Sequence, residues 1–239
     1  MLFRSLIFGV IVITSVLLLS SFMIPINDAF AATTFVDAFD ISSQESGPHG
    51  LAFNTDGTKM FVAGSIGDDV NEYACSTGFD VSTCSFTDAF DVSGQDTAPT
   101  DVAFNTDGTK MFVTGGAARN INEYACSTGF DVSTCSYSGD SERFSVRNQE
   151  LSPKGLAFNT DGTKMFVVGT AGQDVNEYAC TAFDVSTCSF TDAFSVSAQS
   201  PSPQGLTFNS DGTKMFVTGY VGDDVNEYAC STGFDVSTC

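Results

Sequence analysis

An all-β fold built from four similar sheets is predicted by three observations. The string Phe-Asn-(Thr or Ser)-Asp-Gly-Thr-Lys-Met-Phe-Val occurs at residues 53–62, 104–113, 158–167 and 208–217. Each copy places Asp-Gly between two short apolar runs, which is typical of a β-hairpin. Two further extended segments follow each copy. Four strands in a unit of about 50 residues are typical of a propeller blade, so the sequence predicts a four-bladed β-propeller.

The first unit shows how each strand is predicted. Residues 50–53 lead into the turn and residues 59–62 return from it, with Asp56 and Gly57 expected to take the positive-φ positions of a tight turn. After a polar loop, residues 70–75 form a third extended segment. Residues 85–92 alternate apolar and polar side chains, which predicts a half-exposed fourth strand.

The two ends of the repeat region complement each other. The last unit stops at Cys239, before its fourth strand, and residues 34–41 match the fourth strands at 86–92 and 190–196. We therefore expect the N-terminal strand to complete the last blade and close the ring, because this pairing removes two open sheet edges. The alternative is an exchange of these strands between two chains, which gives a strand-exchanged eight-bladed dimer.

The repeat motifs also carry a family resemblance. The hairpin Asp-Gly-Thr-Lys-Met-Phe-Val, followed by Asn-Glu-Tyr and Phe-Asp-Val-Ser-Thr, is similar to the tandem propeller repeats of secreted bacterial and archaeal surface proteins of the YVTN and TolB-like type. The resemblance covers residues 32–239. It implies a β-propeller used for extracellular binding or scaffolding, and no particular chemistry, because such families include binding modules and lactonases alike.

The N-terminal residues predict export. Arg4 precedes an uncharged stretch at 5–26, and Ala29-Phe30-Ala31 follows, which is the order of a signal peptide with its cleavage site. We therefore assign residues 1–31 to a signal peptide and residues 32–239 to the propeller domain of four repeats of about 51 residues. The alternative is a retained membrane anchor, since the uncharged stretch is long enough to span a bilayer. With cleavage, the protein is secreted or lies at the cell surface without stable membrane insertion.

The eight cysteines form four local pairs, each flanking the loop between the third and fourth strands of a unit. In an exported chain this spacing predicts disulfides. A zinc site would require two pairs to converge, although each pair lies on a different blade. The predicted pairs are Cys75 with Cys84, Cys126 with Cys135, Cys180 with Cys188, and Cys230 with Cys239.

Charge and histidine content exclude several function classes. The chain has 29 acidic and 9 basic residues, a formal net charge of −20, so it should repel nucleic acid. Its one histidine excludes repeated Ser–His–Asp or Cys–His sites.

Carboxylates are predicted to gather on one face of the propeller. In an up-and-down blade, the links between blades and the loops between second and third strands share a face, where a ring of acids could hold calcium. The alternative is a solvated acidic surface, because no D-x-D-x-D-G loop is present. The acids of this face are Glu45, Asp68, Asp69, Asp96, Asp101, Glu150, Asp174, Asp223 and Asp224, of which Asp68, Asp69, Asp174, Asp223 and Asp224 are the calcium candidates.

Four other residues are candidates for ligand binding. Arg119, Arg147 and Lys154 bring positive charge to the acidic face and could seat a sulfate, carboxylate or uronic-acid group, or else pair with neighbouring acids. His49 lies in the first link and is a candidate lone acid or base, or a plain loop residue.

Together these features predict an extracellular or cell-surface binding module on a disulfide-stapled propeller, with an extracellular protein or carbohydrate as its partner and with no catalysis expected. It would act as a monomer or homodimer. One alternative is a calcium-dependent propeller enzyme, lactonase-like or lyase-like, although no nucleophile–base pair is visible. The other is a structural surface component.

Overall fold

The computed structural model describes residues 35–239, of which residues 37–239 form one compact unit. The predicted signal peptide, residues 1–31, lies outside the described residues. Within the described part, the helices are single 3-10 turns, and none is long and apolar enough to cross a membrane. These turns are Val81–Thr83, Val132–Thr134, Asp140–Glu142 and Val236–Thr238.

The strands form four antiparallel sheets, which are the blades of a four-bladed β-propeller. Blade 1 contains β1 (Pro48–Phe53), β2 (Lys59–Gly64), β3 (Asp69–Cys75) and β4 (Cys84–Asp91). Blade 2 contains β5 (Pro99–Phe104), β6 (Lys110–Gly115), β7 (Asn120–Cys126), β8 (Cys135–Ser136) and β9 (Arg143–Ser145). Blade 3 contains β10 (Pro153–Phe158), β11 (Lys164–Gly169), β12 (Asp174–Thr181) and β13 (Asp184–Ser195). Blade 4 contains β14 (Pro203–Phe208), β15 (Lys214–Gly219) and β16 (Val225–Ala229). The first strands of adjacent blades pack on one another, so they are the innermost strands.

The Asp-Gly turns follow the prediction in part. Gly57 has a φ of 72°, and the equivalent glycines of the other blades have φ between 69° and 73°. Asp56 does not share this conformation, because the connection is longer than a two-residue turn: the Asn54 amide donates to the Lys59 carbonyl. The Asp56 carboxylate instead accepts hydrogen bonds from the hydroxyl and amide of Thr58, which lower the pKa of this carboxyl.

All four predicted disulfides are present, and none of the described cysteines is free. This pairing leaves no thiolate for the zinc alternative. Each bridge closes a loop of eight or nine residues between the third and fourth strand positions of a blade. Loops of this size stabilise the folded state by roughly 2–3 kcal/mol in the chain-entropy account.

The hydrophobic core lies between adjacent blades. One cluster joins blades 1 and 2 through Phe61, Met111 and Tyr124, and two more join blades 2 to 3 and 3 to 4. The tyrosines of three Asn-Glu-Tyr triplets, Tyr124, Tyr178 and Tyr228, pack there, with the Phe90 ring 5.3 Å from the Tyr124 ring across the boundary. Full burial of an apolar side chain such as Phe61 or Met111 contributes on the order of 2–3 kcal/mol.

A lysine–glutamate pair fastens each of the first three blades to the next one. In blade 1, Lys59 Nζ lies 2.7 Å from Glu72 Oε1 and donates to the Phe130 carbonyl at 2.6 Å. The Val132 amide donates to Glu72 Oε2 at 2.9 Å. Phe130 and Val132 belong to the disulfide loop of blade 2, so this arrangement, which we call the lysine–glutamate hook, joins two blades.

The hook repeats at the next two boundaries. Lys110 and Glu123 hold Phe183 and Val185, and Lys164 and Glu177 hold Phe234 and Val236. The three glutamate side chains are only 5–6% exposed. A pair with a buried carboxylate is costly to break, because the lysine, which is itself only partly exposed, is left without its partner.

The structure departs from the predicted ring closure at blade 4. In the part of the chain that the structure describes, β16 pairs with β15 alone, and residues 37–41 form no strand. Those residues pack on blade 1 instead, with the Phe39 ring 5.5 Å from the Tyr73 ring. The three hooks fix the step from one blade to the next, and the end of blade 4 does not reach this segment.

Candidate functional site

The two ends of the blades form two different surfaces. At one end, the links between blades lie beside the loops between the second and third strands, as the hydrogen bond from the Ser65 amide to the Gly47 carbonyl shows. We call this end the loop face. At the other end, the Asp-Gly turns lie beside the disulfide loops, joined by the bond from the Phe79 amide to the Gly57 carbonyl. We call this end the turn face. The predicted division of loops between two faces is confirmed.

Three of the acids predicted to face solvent are buried beneath the loop face. Glu45, Asp96 and Glu150 are at most 2% exposed. The Glu150 carboxylate accepts hydrogen bonds from the amides of Ser152, Ala171 and Gly172 at 2.6–3.1 Å. Asp96 accepts equivalent bonds from Ala98, Ala117 and Ala118, and Glu45 from Gly47 and Gly67. The expectation of a solvent-facing rim is wrong for these acids, because their oxygens tie the link to the neighbouring loop.

The calcium candidates are divided between two structural positions. Asp69, Asp174 and Asp224 each accept a hydrogen bond from the asparagine two residues later, at 2.6–3.0 Å. Asp68 and Asp223 have left-handed backbones, each with a φ of 55°, at the loop position before those aspartates. Burial raises the pKa of Asp69 and of Asp174, and the neighbouring Glu45 or Glu150 adds to this effect.

Across the described residues, no group of three or more His, Cys, Asp or Glu side chains converges in the manner of metal ligands. The calcium hypothesis for the five aspartates therefore stays a prediction.

The basic candidates lie on the loop face without acidic partners. Arg119 occupies the left-handed position of its loop, with a φ of 61°, and its carbonyl accepts the Val146 amide at 3.1 Å. Arg147 follows Val146 in the chain, so the backbones of Arg119 and Arg147 lie close to each other. Lys154 lies farther inward, as the second residue of β10. No ion pair in the described chain involves Arg119, Arg147 or Lys154, although the sequence allowed that simpler role.

A β-bulge in each innermost strand presents a different side chain at the same place. The register shifts between the first and third residues of β1, β5, β10 and β14, which leaves the second residue outside the ladder. Bulges commonly redirect side chains beside binding sites. The four bulge residues are His49, Thr100, Lys154 and Gln204.

The bulge residues differ in their contacts. His49 Nε2 lies 3.0 Å from Ser65 Oγ, and the imidazole is exposed. Thr100 Oγ1 is buried and lies 3.1 Å from the Pro153 carbonyl oxygen of the next blade. Gln204 Nε2 donates to the carbonyl of Ser202 at 3.4 Å. Two of the four predicted ligand residues, His49 and Lys154, thus share one structural position.

Asp101 is a site residue whose individual role the sequence did not reveal. It follows the bulge in β5, where the other blades have Gly50, Gly155 and Gly205. Its carboxylate accepts the Val102 amide at 2.9 Å and the Leu156 amide of blade 3 at 2.8 Å. Burial raises the pKa of Asp101 to about 7 despite these bonds. In the sequence, the role of Asp101 could have been suspected because the other three repeats have glycine at its position.

The loop face also carries large exposed apolar side chains. Tyr220 is 78% exposed, and its amide donates to the Ser202 carbonyl, which places it beside Gln204. Sequence reasoning missed these residues because they were sought among charged groups. The four are Ile66, Leu151, Tyr220 and Val221.

Similar folds occur in solved bacterial proteins. A protein from Lactobacillus plantarum matches with a TM-score of 0.55 and 16% identity, over 77% of this chain and 51% of that one. A putative 6-phosphogluconolactonase from Bacteroides fragilis matches with a TM-score of 0.51 and 16% identity, over 76% and 52%. The periplasmic gluconolactonase of Pseudomonas aeruginosa matches with a TM-score of 0.51 and 14% identity, over 77% and 50%.

These likenesses establish the propeller fold alone, and the chain spans about half the length of the solved proteins it matches. No protein-family model matches the sequence. A comparison with curated proteins finds no significant match.

Proposed function

We propose that this chain is a secreted or cell-surface binding module whose loop face holds an extracellular carbohydrate or protein. The observation that carries this proposal is the contrast at the bulges. The scaffold is nearly identical in all four blades, whereas His49, Thr100, Lys154 and Gln204 place four different side chains at one equivalent position. Variable residues on a rigid scaffold are typical of binding surfaces.

The composition of the loop face suits a sugar ligand that carries an acidic group. Tyr220 offers an exposed ring beside the amide of Gln204, and aromatic faces combined with hydrogen-bonding side chains suit such ligands. Arg119, Arg147 and Lys154 supply unpaired positive charge on the same face for a carboxylate or sulfate.

The disulfides support the extracellular part of the proposal. Bridges in all four blades favour an oxidising compartment, since cytosolic thiols are kept reduced. The resemblance to repeats of secreted surface proteins and the predicted signal peptide agree with this location.

A glycan array that includes neutral and uronic-acid oligosaccharides tests the proposal directly. We expect binding to at least one acidic oligosaccharide, and Tyr220→Ala should weaken it by about tenfold, the loss that one buried aromatic contact causes. Ser210→Ala is the matched control, because Ser210 is exposed on the turn face of the same blade. Equal binding by both variants would contradict a ligand site at Tyr220.

Asp101 favours a second candidate function, a lactonase-like enzyme. A carboxyl with a pKa near 7 has the value that a general acid or base needs. Of the solved proteins with a similar fold, one is described as a putative 6-phosphogluconolactonase and another as a periplasmic gluconolactonase. Hydrolysis of gluconolactone, measured with and without calcium, tests this candidate. Activity that disappears in Asp101→Asn would support it, and no hydrolysis above the spontaneous rate would exclude it for this substrate.

A further inference from the structure

The outer side of blade 4 is open in this structure. Lys214 and Glu227 form their ion pair at 2.7 Å, yet both side chains are about half exposed, and no disulfide loop of another blade meets them within the described chain. Val225 is 65% exposed, although the residues at its position in the other blades are fully buried. We call Lys214, Phe216, Val225 and Glu227 the blade 4 end face.

The facing side of blade 1 is open as well. Leu51 is 59% exposed, whereas Val102 and Leu156, its counterparts in blades 2 and 3, are 3% and 4% exposed against the preceding blade. Phe79 is 64% exposed and lies 5.5 Å from Phe53, ring to ring. We call Leu51, Phe53, Phe79 and Val81 the blade 1 end face.

The two end faces carry the two halves of one joint. At the boundary between blades 1 and 2, the Phe61 ring packs 4.4 Å from Phe104, which in turn lies 5.4 Å from Phe130. Phe216 on the blade 4 end face is the counterpart of Phe61, and the Phe53–Phe79 pair on the blade 1 end face is the counterpart of Phe104–Phe130.

The polar half of the joint is complementary too. The hook of blade 4 has its lysine and glutamate already paired. The groups that would receive them are the Phe79 carbonyl and the Val81 amide, which stand in blade 1 where Phe130 and Val132 stand in blade 2.

Residues 37–41 extend this complementarity to the backbone. The Ile41 carbonyl accepts the amides of Gln44 and Glu45, as the Val92 carbonyl accepts those of Gln95 and Asp96. The segment therefore contacts blade 1 as β4 contacts blade 2. However, it pairs with no strand in the described region, and neither does the outer edge of β16. Unpaired edges of this kind are templates for strand addition.

We propose that two copies of this chain join head to tail into one ring of eight blades. The blade 4 end face of each copy packs on the blade 1 end face of its partner, and residues 37–41 become the outer strand of the partner's blade 4. The register follows β3 and β4, where Val70 faces Phe90. Val225 of one copy therefore faces Phe39 of the other.

A second copy fits better than closure of one chain on itself. The three hooks repeat one boundary geometry, and four blades at that step leave the two end faces apart. Two copies double the number of blades and create two equal joints, so no sheet edge stays open.

Sedimentation velocity of the full chain under non-reducing conditions tests the ring. We expect a particle of twice the chain mass. Leu51→Arg and Val225→Arg each alter a side chain that is exposed in the single copy, so both variants should fold, and both should sediment as monomers. Leu151→Arg is the matched control, because Leu151 is as exposed as Leu51 but lies on the loop face, and this variant should stay dimeric.

Mixing the two monomeric variants identifies the head-to-tail arrangement. A dimer of Leu51→Arg with Val225→Arg contains one intact joint and one joint that carries both substitutions. We therefore expect the mixture to regain dimers that neither variant forms alone.

Other outcomes would overturn the proposal. A monomeric wild-type chain whose β16 amides are protected from hydrogen exchange would indicate a ring closed within one chain. A dimer broken by one arginine variant alone would indicate contact between like faces. Open-ended oligomers would mean that the joint forms without closing at eight blades. The proposal concerns the assembly, so none of these outcomes bears on ligand binding at the loop face.

Discussion

The turn face and the loop face are made by the same four repeats, yet they differ in how strictly the repeats agree. On the turn face, every blade has an Asp-Gly turn and a disulfide loop, and the three described hooks use the same residue types. On the loop face, the buried position in the link between blades holds an acid in three blades, Glu45, Asp96 and Glu150. In the fourth blade it holds Ser200. The bulge residue differs in all four blades.

The difference separates two physical tasks. The turn face holds neighbouring blades together, and a joint works only when both of its halves are present, so every repeat keeps both. The loop face contributes to the joint between blades 2 and 3 through Thr100 and Asp101, but its residues differ from blade to blade. Stability should therefore respond mainly to changes near the turn face, and ligand binding mainly to changes on the loop face.

The largest effect is expected from Glu123→Gln, which removes the charge at the centre of one hook. Lys110, whose side chain is 31% exposed, loses its ionic partner at a buried position of Glu123, so the free energy of unfolding should fall by about 3 kcal/mol. Urea denaturation measures the loss. The control is Asp140→Asn, which removes the exposed pair with Arg143 and should cost less than about 0.5 kcal/mol. Similar losses in both variants would contradict a buried joint.

A slightly smaller loss is expected when one disulfide is removed. Replacing Cys126 and Cys135 with alanine reopens a loop closed across nine positions, which should lower stability by roughly 2–3 kcal/mol. Because the turn face repeats, removing Cys230 and Cys239 should have a similar effect. Thermal unfolding under non-reducing conditions compares the two double variants, and a loss in one of them alone would break the equivalence of the blades.

Asp101 should make stability depend on pH. Its pKa is raised to about 7 in the folded state, so the folded chain keeps a proton that the unfolded chain has already lost. Stability therefore falls as pH rises from about 4 to about 7 and levels off above that range.

Asp101→Asn isolates this effect, because an amide does not titrate. The difference in melting temperature between the wild type and this variant should change between pH 4 and pH 7 and be constant above pH 7. Asp69 and Asp174 also have raised pKa values and act in the same direction, but they are present in both proteins. A difference that is constant across the whole range would mean that Asp101 does not titrate there.

The smallest effect on stability is expected on the loop face. Tyr220→Ala and Ile66→Ala remove exposed side chains and should change the unfolding free energy by less than about 0.5 kcal/mol. Urea denaturation of each variant checks this value. Losses near those of Glu123→Gln would show that the loop face also holds the blades together.

Repetition explains which features could be predicted from the sequence. The hairpins, the third strands and the disulfide pairs recur in every unit, so each was predicted from several copies at once, and the structure confirms them. The lysine–glutamate pairs could also have been predicted, because each repeat has a lysine and a glutamate at the positions of Lys59 and Glu72. Their partners are backbone groups of another blade, which no side-chain pattern reveals.

The candidate site was harder to predict because it depends on depth and direction. Glu45 and Glu150 look like surface acids in the sequence, but the loop amides that surround them place them inside. To predict the roles of Asp101 and the bulge residues, one would need to know which strand lies innermost and where its register shifts. The four blades themselves were predicted, whereas the step between blades, which leaves the end faces apart, depends on packing at each boundary.

The lysine–glutamate hook affects how the number of blades in such a protein can change. Each repeat carries a lysine and glutamate for the blade after it and a phenylalanine carbonyl and valine amide for the blade before it. A duplicated repeat would therefore contain the groups that contact the preceding blade and those that contact the following blade. It could be inserted between any two blades without a compensating substitution. An evolving gene, or a designer, could thus change the number of blades in units of one repeat.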